Sequence, residues 1–477
     1  MHIKELYPNT KLNINITGIT NNSKAVKPGY IFVAIKGHKF NGNNFINEAI
    51  EKGASLIVCD KRKLSSKFIY NKNTKLEFIR LLQIFYNYKH NIYTVGITGT
   101  DGKTTTSTLL NSIFNIYSKS SYIGSNGVNY LKKHFKTKNT TPGPDVLYPA
   151  INILNKHEIN NLILEVSSEG ILDNRINGFL FDGAIFTNLS HEHLNTHKNM
   201  DSYFICKTKL FKSLTKSSLL VINYDDSYSS RIRFYTEAKI ITYGFNGGDF
   251  MVKSYNLNLD GSTFSVYYKG KNIGEFKTKL FGKYNIYNCL ATIAYSYELG
   301  IPVDIIRKGI LAVDYVDGRF IKYKKNNLNF IIDYAHTPNA LKSLLTNLKL
   351  CHKGRIILIT GAQGEKDYTK RHIMGFVATK LADITIFTSE DPKNENLFSI
   401  FKDLTKDLKD NEYYLTLSRF DAIKLAINIS KKDDLIVICG KGNETHEIIL
   451  GYQFNHSDIE LIKKALNYKS NNSMLYL

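Results

Sequence analysis

The run Tyr93-Thr-Val-Gly-Ile-Thr-Gly-Thr-Asp-Gly-Lys-Thr-Thr-Thr106 sets two glycines and a lysine where a β-branched stretch gives way to a helical pattern. Val95, Ile97 and Thr98 read as a buried parallel strand. Gly99 and Gly102 read as a turn, and Lys103 as the start of a helix. That order makes a phosphate cradle from Gly99, Thr100, Asp101, Gly102, Lys103, Thr104 and Thr105. The glycines let backbone N–H groups converge on oxygen anions, and the helix N-terminus adds positive potential. Lys103 adds a mobile charge, and the Thr104 hydroxyl can hold Mg²⁺. The loop is shorter than the general Walker A spacing, because Gly99 and Gly102 are three apart.

Acidic and imidazole groups follow two further strand-like runs. Glu165 interrupts Leu162-Ile-Leu-Glu-Val166, just before Ser167 and Ser168. A carboxylate buried there is costly unless it is paired or bound to a cation; the other reading is a polar turn residue. Phe186-Thr-Asn-Leu-Ser-His-Glu-His-Leu-Asn-Thr-His197 holds three histidines within seven residues. Zinc is one reading. The spacing and the neutral loop context favour phosphate and Mg²⁺ handling, and any single histidine there is equally a satisfied loop residue.

These groups need a scaffold. At 477 residues the chain predicts roughly two to four domains. No window approaches the ~20 apolar residues that span a bilayer. The opening Met-His-Ile-Lys-Glu-Leu lacks a signal peptide's apolar core, so the expectation is a cytoplasmic protein without membrane insertion. Five scattered cysteines read as small buried hydrophobes in a reducing compartment. Net charge is +21, from 63 basic and 42 acidic residues. Nucleic acid or an anionic substrate are two readings of it. The lysines are spread along the chain, which favours a third, compositional drift of the whole surface, and no nucleic-acid partner is expected. Lys-Ser-Asn-Asn-Ser near the C-terminus reads as a frayed tail.

Three blocks are expected, bounded at 1–88, 89–312 and 313–477. The first is a small α/β unit with strand-like Tyr30–Ile35 and Ala54–Cys59, and a helical period from Asn44 ending at Gly53. The second alternates strands (Leu162–Val166, Gly183–Phe186, Leu219–Ile222) with helices, which predicts a mostly parallel sheet. Residues 250–281 alternate polar and apolar and predict an antiparallel insertion; a helix from Asn285 to Leu299 follows. The third block repeats the alternation at Phe330–Asp333, Arg355–Ile359, Ile384–Phe387 and Leu435–Ile438, as in a Rossmann-like doubly wound domain. The fold class is therefore α/β in three domains: a small N-terminal one, a central P-loop ATPase-like one and a C-terminal Rossmann-like one. Ligands collect beyond the C-terminal strand ends of such sheets, and the polar motifs fall there.

Over nearly its full length the chain resembles the Mur ligase family, the ATP-dependent amide-forming enzymes of peptidoglycan synthesis, and most of all its MurE type. Gly-Thr-Asp-Gly-Lys-Thr resembles the family phosphate loop, and Asn139-Thr-Thr-Pro142 and Glu165-Val-Ser-Ser168 its substrate and magnesium loops. Phe186 to Leu194 and Tyr203-Phe-Ile-Cys-Lys207 resemble the segment carrying a carbamylated lysine. Asn285-Ile-Tyr-Asn288 resembles the adenine-side motif, and Asp317-Gly-Arg319 and Asp333-Tyr-Ala-His-Thr-Pro338 the motifs opening the third domain. Gly440-Lys-Gly-Asn-Glu444 resembles the loop holding the incoming amino acid. The resemblance implies Lys103, Lys207, Glu165 and His193 as catalytic. Thr104, Glu165, His193 and a carbamate on Lys207 would hold Mg²⁺. Asn288, Arg319 and Asp333 would join the phosphate loop around ATP. Asn22, Ser23, His38, Asn139, Thr140, Thr141, Ser167, Asp173 and Arg175 would bind the UDP-MurNAc dipeptide. Lys366, Glu390, Asp391, Lys393, Gly440 and Glu444 would bind the free amino acid. A monomer is implied, closing about 310–318. Without the resemblance Lys207 reads as a solvated helix lysine.

The implied chemistry suits these residues. ATP phosphorylates a carboxylate, an amine attacks the acyl phosphate, and a tetrahedral intermediate collapses to amide, ADP and phosphate; Lys103, Arg319 and Mg²⁺ gather the negative charge. Four positions depart from the family pattern: Glu169, Lys366, Lys393 and Asn443. The two lysines replace arginine forks that bind a carboxylate in two-pronged fashion. The expectation is therefore L-lysine or L-ornithine rather than meso-diaminopimelate, its side-chain amine facing Glu390 and Asp391. The alternatives are a sister ligase such as folylpolyglutamate synthetase, a basic phosphate-loop RNA-binding protein, and a degenerate paralogue.

Overall fold

A computed structural model describes residues 1–37, 40–62, 65–409 and 412–473. Among these, the strands form sheets of four, eleven and six strands and one two-stranded hairpin. The fold is the α/β three-domain arrangement expected.

The four-stranded sheet runs Gly18–Thr20, Tyr30–Val33, Leu56–Cys59, Phe68–Tyr70, all parallel. The expected helical period near Asn44 begins as a 3₁₀ turn, Gly42–Phe45, before the helix Ile46–Glu51. Helix Thr74–Phe85 then carries the chain to the central domain, where Gln83 donates to the Tyr148 hydroxyl at 3.0 Å. Ile31 and Val33 share one apolar cluster with Leu147, Leu162 and Phe186, so the first sheet and one face of the second are sealed by a common core.

The central sheet has a parallel heart, in the spatial order Lys239–Gly244, Leu219–Asn223, Gly183–Phe186, Tyr93–Thr98, Asn161–Glu165, Ser120–Gly124. Both margins are antiparallel. One is the hairpin ribbon Ser120–Gly124, Gly127–Tyr130, Lys133–Phe135, which the sequence reading did not anticipate. The other is the alternating stretch, folded as Phe250–Asn258, Gly261–Tyr268 and Lys271–Thr278. It is a continuation of the central sheet rather than a separate insertion, because Tyr243 pairs with Phe250. Helices Lys103–Tyr117 and Lys283–Glu298 cover the face opposite the shared core.

The third sheet runs Ile321–Lys325, Leu328–Asp333, Leu435–Cys439, Ile356–Thr360, Ile384–Phe387, Tyr414–Leu415, parallel except for its first strand. The last helix, Asp458–Ser473, runs through the segment that reads as a frayed tail. Val313 and Val316 are buried in the central core, so 310–316 belongs to that body and any pivot between the second and third domains is confined to about 317–319.

Candidate active site

The C-terminal strand ends of the second and third sheets face one cavity of about 980 Å³. Its floor is the turn after strand Tyr93–Thr98. Gly99 has φ +152°, and a Cβ there would sit 1.9 Å from the Thr187 hydroxyl. Gly102 has φ +83°, and its Cβ would meet Asn288 Oδ1 at 2.5 Å. Only glycine fits either position. Thr187 and Asn188 clamp the turn: Thr100 N donates to Asn188 O at 2.9 Å, Asp101 N to Asn188 Oδ1 at 3.0 Å, and Thr187 Oγ1 to Asp101 O at 2.7 Å. Helix Lys103–Tyr117 starts on Gly102, which offers no side-chain cap, so its first-turn N–H groups are open to an anion. Lys103 Nζ donates to Gly99 O at 3.0 Å and Thr100 O at 2.8 Å; burial lowers its pKa, opposed by Glu165 and Asp101.

Glu165 ends the adjacent strand with no exposure at all. Tyr122 and the Ser125 N–H (3.1 Å) donate to its Oε1; Thr104 Oγ1 (3.1 Å) and Ser125 Oγ (3.3 Å) donate to its Oε2. This is a positioned carboxylate rather than a turn residue. The pair of Thr104 hydroxyl and Glu165 Oε2, both hard oxygens beside an anion cradle, fits Mg²⁺. Among the described residues no group of three or more His, Cys, Asp or Glu could hold a metal alone. That donor set suits a cation that shares its shell with phosphate oxygens and water, and it gives the three-histidine zinc reading no cluster.

Behind the turn lies helix Met200–Lys212. Lys207 is 1% exposed, not solvated. Its Nζ donates to Gly99 O at 2.9 Å and Thr98 Oγ1 at 3.4 Å, and lies 4.6 Å from the Tyr203 ring centre. Burial, then the charge of Lys103, pushes its pKa well below that of an ordinary lysine. The sequence did hold a signal for this. Tyr203, Lys207 and Leu210 share one helical face at spacings of four and three, so the lysine sits on an apolar stripe. His193 lies across Tyr203 in a left-handed conformation, φ +59°. Burial first, then Lys207 and Lys103, lower its pKa to about 2, so it is a neutral imidazole with a lone pair to offer.

The third domain closes over this floor. Lys370 donates to both oxygens of Glu192, at 2.8 and 3.1 Å, and to His336 O at 2.8 Å. Asp367 accepts from Leu194 N at 3.2 Å, and His191 bonds Thr369 Oγ1 at 2.9 Å. Lys366 lies 3.7 Å from Glu169, so two of the four departures face each other across the domains. Arg319 stacks on Tyr334 at 4.2 Å and lines the cavity. Asp333 lines it too, but its oxygens accept the Phe320 and Ala335 N–H groups at 2.7 and 2.8 Å, bracing the loop. Asn288 lines the cavity and accepts from Thr106 at 3.2 Å.

The other expected residues separate into groups. Asn139, Thr140, Ser167 and Arg175 line the cavity; Thr141 lies beneath, donating to Glu165 O at 2.8 Å, and Arg175 holds Asp173 at 2.7 Å and Thr141 O at 3.0 Å. Lys366 and Glu444 line it as well; Glu444 is held by Lys441 at 2.9 Å and Tyr334 at 3.3 Å. Glu390 sits behind, against Gly440, fully buried, with both oxygens unpartnered and its pKa raised to about 7 by that burial. Asp391 is turned to the Ile448 N–H at 2.6 Å, and the Lys393 backbone pairs with Ile448 and Leu450; neither residue lines the cavity. Asn22 caps a 3₁₀ turn and Ser23 donates to Glu48 at 2.7 Å, away from the cavity. His38 lies outside the described residues. The sequence reading missed Tyr122, Ser125, Glu192 and Lys370.

Models of three families of domain match the chain: the Mur ligase middle domain at residues 97–296, the Mur ligase glutamate ligase domain at 318–442 and the Mur ligase family catalytic domain at 15–90. A UDP-N-acetylmuramoyl-L-alanyl-D-glutamate–2,6-diaminopimelate ligase of Aquifex aeolicus is 36% identical, over 94% of each chain. The enzyme of the same name from Bacillus cereus is 35% identical over 97% of this chain and 96% of its own. A solved structure of a ligase of that name superposes with a TM-score of 0.65 at 25% identity, covering 98% of this chain and 99% of its own. MurF of Thermotoga maritima in complex with ADP gives 0.70 at 19% identity over 94% and 98%. A Mycobacterium tuberculosis folylpolyglutamate synthase gives 0.65 at 15% identity but covers only 76% of this chain and 91% of its own. The chain belongs to the Mur ligase family, as an ATP-dependent amide ligase.

Proposed function

We propose that this ligase adds diaminopimelate, as the third residue, to UDP-N-acetylmuramoyl-L-alanyl-D-glutamate, forming ADP and phosphate by way of an acyl phosphate. The observation that carries this reading is the cavity itself: an uncapped helix N-terminus with Lys103 on one side, the carboxylate of Glu444 on the other, and Glu165 and Lys207 buried behind the phosphate turn. Relatives over 94–97% of the chain carry the name of that reaction, which runs against the expectation of lysine or ornithine. The geometry agrees in part. Asp391 is already engaged by a backbone N–H, so the acidic pair that would select a lone side-chain amine is reduced to Glu390.

The division of labour in this reading is 1–88 for the UDP end of the substrate, 89–316 for ATP, with the boundary set beyond the buried Val313 and Val316, and 317–477 for the amino acid. In the reaction Lys103 leaves the Gly99 and Thr100 carbonyls for the transferring phosphoryl group, and Arg319 meets it from the third domain. Asn139, Thr140, Ser167 and Arg175 hold the acceptor carboxylate's arm in line. Glu444 orients the incoming amine toward the acyl carbon. Thr104, Glu165, His193 and a carbamylated Lys207 would hold Mg²⁺, which when bound supplies charge neutralisation between phosphate and carboxylate oxygens. Carbon dioxide adds to an unprotonated amine with release of a proton, a form that burial favours at Lys207, and the carbamate puts an anion next to the phosphate site.

The chain acts in the cytoplasm as a monomer without nucleic acid. Among the described residues no helix is long and apolar enough to cross a membrane. The test is ADP release with the UDP-linked dipeptide and meso-diaminopimelate, L-lysine or L-ornithine. More than tenfold higher kcat/KM for meso-diaminopimelate is expected. Preference for lysine or ornithine would overturn the substrate, and release indifferent to all three would overturn the reaction.

A further inference from the structure

Glu165 is held in an uneven way. Its Oε1 accepts two hydrogen bonds, from the Tyr122 hydroxyl and from the Ser125 N–H at 3.1 Å. An oxygen of a carboxylate has two lone pairs, so Oε1 has none left for a cation. Neither donor can leave easily. One is backbone, and the other is a phenol on a ring 2% exposed, whose oxygen is itself fixed by the Asn126 N–H at 3.2 Å. Oε2 is different. Its donors, Thr104 Oγ1 and Ser125 Oγ, are rotatable hydroxyls, and Ser125 Oγ has a second partner in Thr140 Oγ1 at 3.0 Å. The strand end is built around this arrangement: a Cβ on Gly124 would lie 2.3 Å from both Glu165 Oε1 and the Tyr122 hydroxyl.

We propose that Tyr122 is a specificity-determining positioning residue that confines Glu165 to one-oxygen coordination and so selects Mg²⁺ over larger divalent cations. The inference rests on the reading that Mg²⁺ enters with ATP at Thr104 and Glu165. Mg²⁺ demands octahedral geometry and takes single carboxylate oxygens, whereas Ca²⁺ accepts six to eight ligands and readily uses both oxygens of one carboxylate. With Oε1 closed on both lone pairs, Glu165 cannot widen its grip. Tyr122→Phe removes one hydroxyl and keeps the ring, which frees one lone pair of Oε1.

The test measures Mg²⁺ and Ca²⁺ dissociation constants by calorimetry, with a non-hydrolysable ATP analogue bound, for the wild-type chain, Tyr122→Phe, Ser125→Ala and Glu165→Gln. Tyr122→Phe should raise the Ca²⁺/Mg²⁺ affinity ratio at least tenfold. Ser125→Ala, which keeps the N–H on Oε1 and removes the hydroxyl on Oε2, should move both affinities together. A ratio unchanged within twofold in Tyr122→Phe, with Glu165→Gln still losing cation affinity, overturns the role of Tyr122 alone. Cation affinity unaffected by Glu165→Gln overturns the underlying metal reading. Should Tyr122→Phe not fold, 3-fluorotyrosine at position 122, a stronger donor of nearly the same shape, should lower the ratio; an unchanged or higher ratio then refutes the proposal.

Discussion

Lys370→Met should uncouple the third domain from the ATP site. Lys370 and Glu192 are 5% and 6% exposed, and the lysine bridges both carboxylate oxygens and the His336 carbonyl. Removing one partner of a buried pair costs about 3–5 kcal/mol, because the other charge stays buried without compensation. Here the loss falls on docking rather than on the fold, since Glu192 regains water once the domains part. The docking equilibrium should therefore weaken roughly 10²–10⁴-fold. Glu192 is the residue before His193, so the same loss slackens the φ +59° turn that presents the imidazole. The pH dependence has a definite sign. Burial already raises the Glu192 pKa, and Lys370 opposes that rise. Without Lys370 the docked-state pKa climbs further, so docking of the variant is favoured while Glu192 is protonated and lost as pH rises through that value. The assay is small-angle scattering with ATP analogue and both substrates, read beside a melting curve and kcat. Wild type should compact and Lys370→Met should not, with partial recovery at low pH and in Glu192→Met/Lys370→Met, where both charges are gone. Full compaction and normal kcat in Lys370→Met would refute the reasoning, as would a loss of activity matched by a fall in melting temperature alone.

Lys103→Ala should lower kcat by ~10²–10³-fold or more with the fold intact, as for loss of one electrostatic donor to a transition state; near-normal turnover by the soluble variant would remove Lys103 from the chemistry. Lys207→Ala should be inactive and partly restored by formate or acetate, which return carboxylate oxygens to the site; full activity without rescue would dispose of the carbamate. Glu390, buried and with its pKa raised to about 7, loses its charge as pH falls through that value. If it attracts the amino acid's side-chain amine, KM for the amino acid should fall as pH rises through about 7, and Glu390→Gln should flatten that profile; a persisting inflection would assign it elsewhere.

The phosphate turn was legible because its signal is local: β-branched strand, two glycines and a helix start within fourteen residues. The strands that end in Glu165 and Asp333 were legible for the same reason, as apolar runs with a polar residue at the end. What a side chain meets across the sheet was not. Tyr122 reaches Glu165 only because strand Ser120–Gly124 pairs beside Asn161–Glu165, an adjacency set by sheet order and not by either segment. Glu192 and Lys370 are 178 positions apart and meet only when two domains are packed. The antiparallel character of 250–278 followed from alternation, but its fusion to the central sheet depends on the short parallel pairing of Tyr243 and Gly244 with Phe250 and Met251. Lys207 was misread from its surroundings because residue type outweighed position: a lysine suggests solvent, while its helical face is apolar.

The central claim is phosphorylation of the dipeptide's carboxylate before the amide forms. The direct measurement uses UDP-N-acetylmuramoyl-L-alanyl-D-glutamate carrying ¹⁸O in its free carboxyl groups, ATP and diaminopimelate, with mass analysis of the released phosphate. Transfer of one ¹⁸O atom to phosphate for each amide formed, with one ADP, is the predicted result. Phosphate free of the label while amide accumulates, or ADP released without any requirement for the dipeptide, would contradict it.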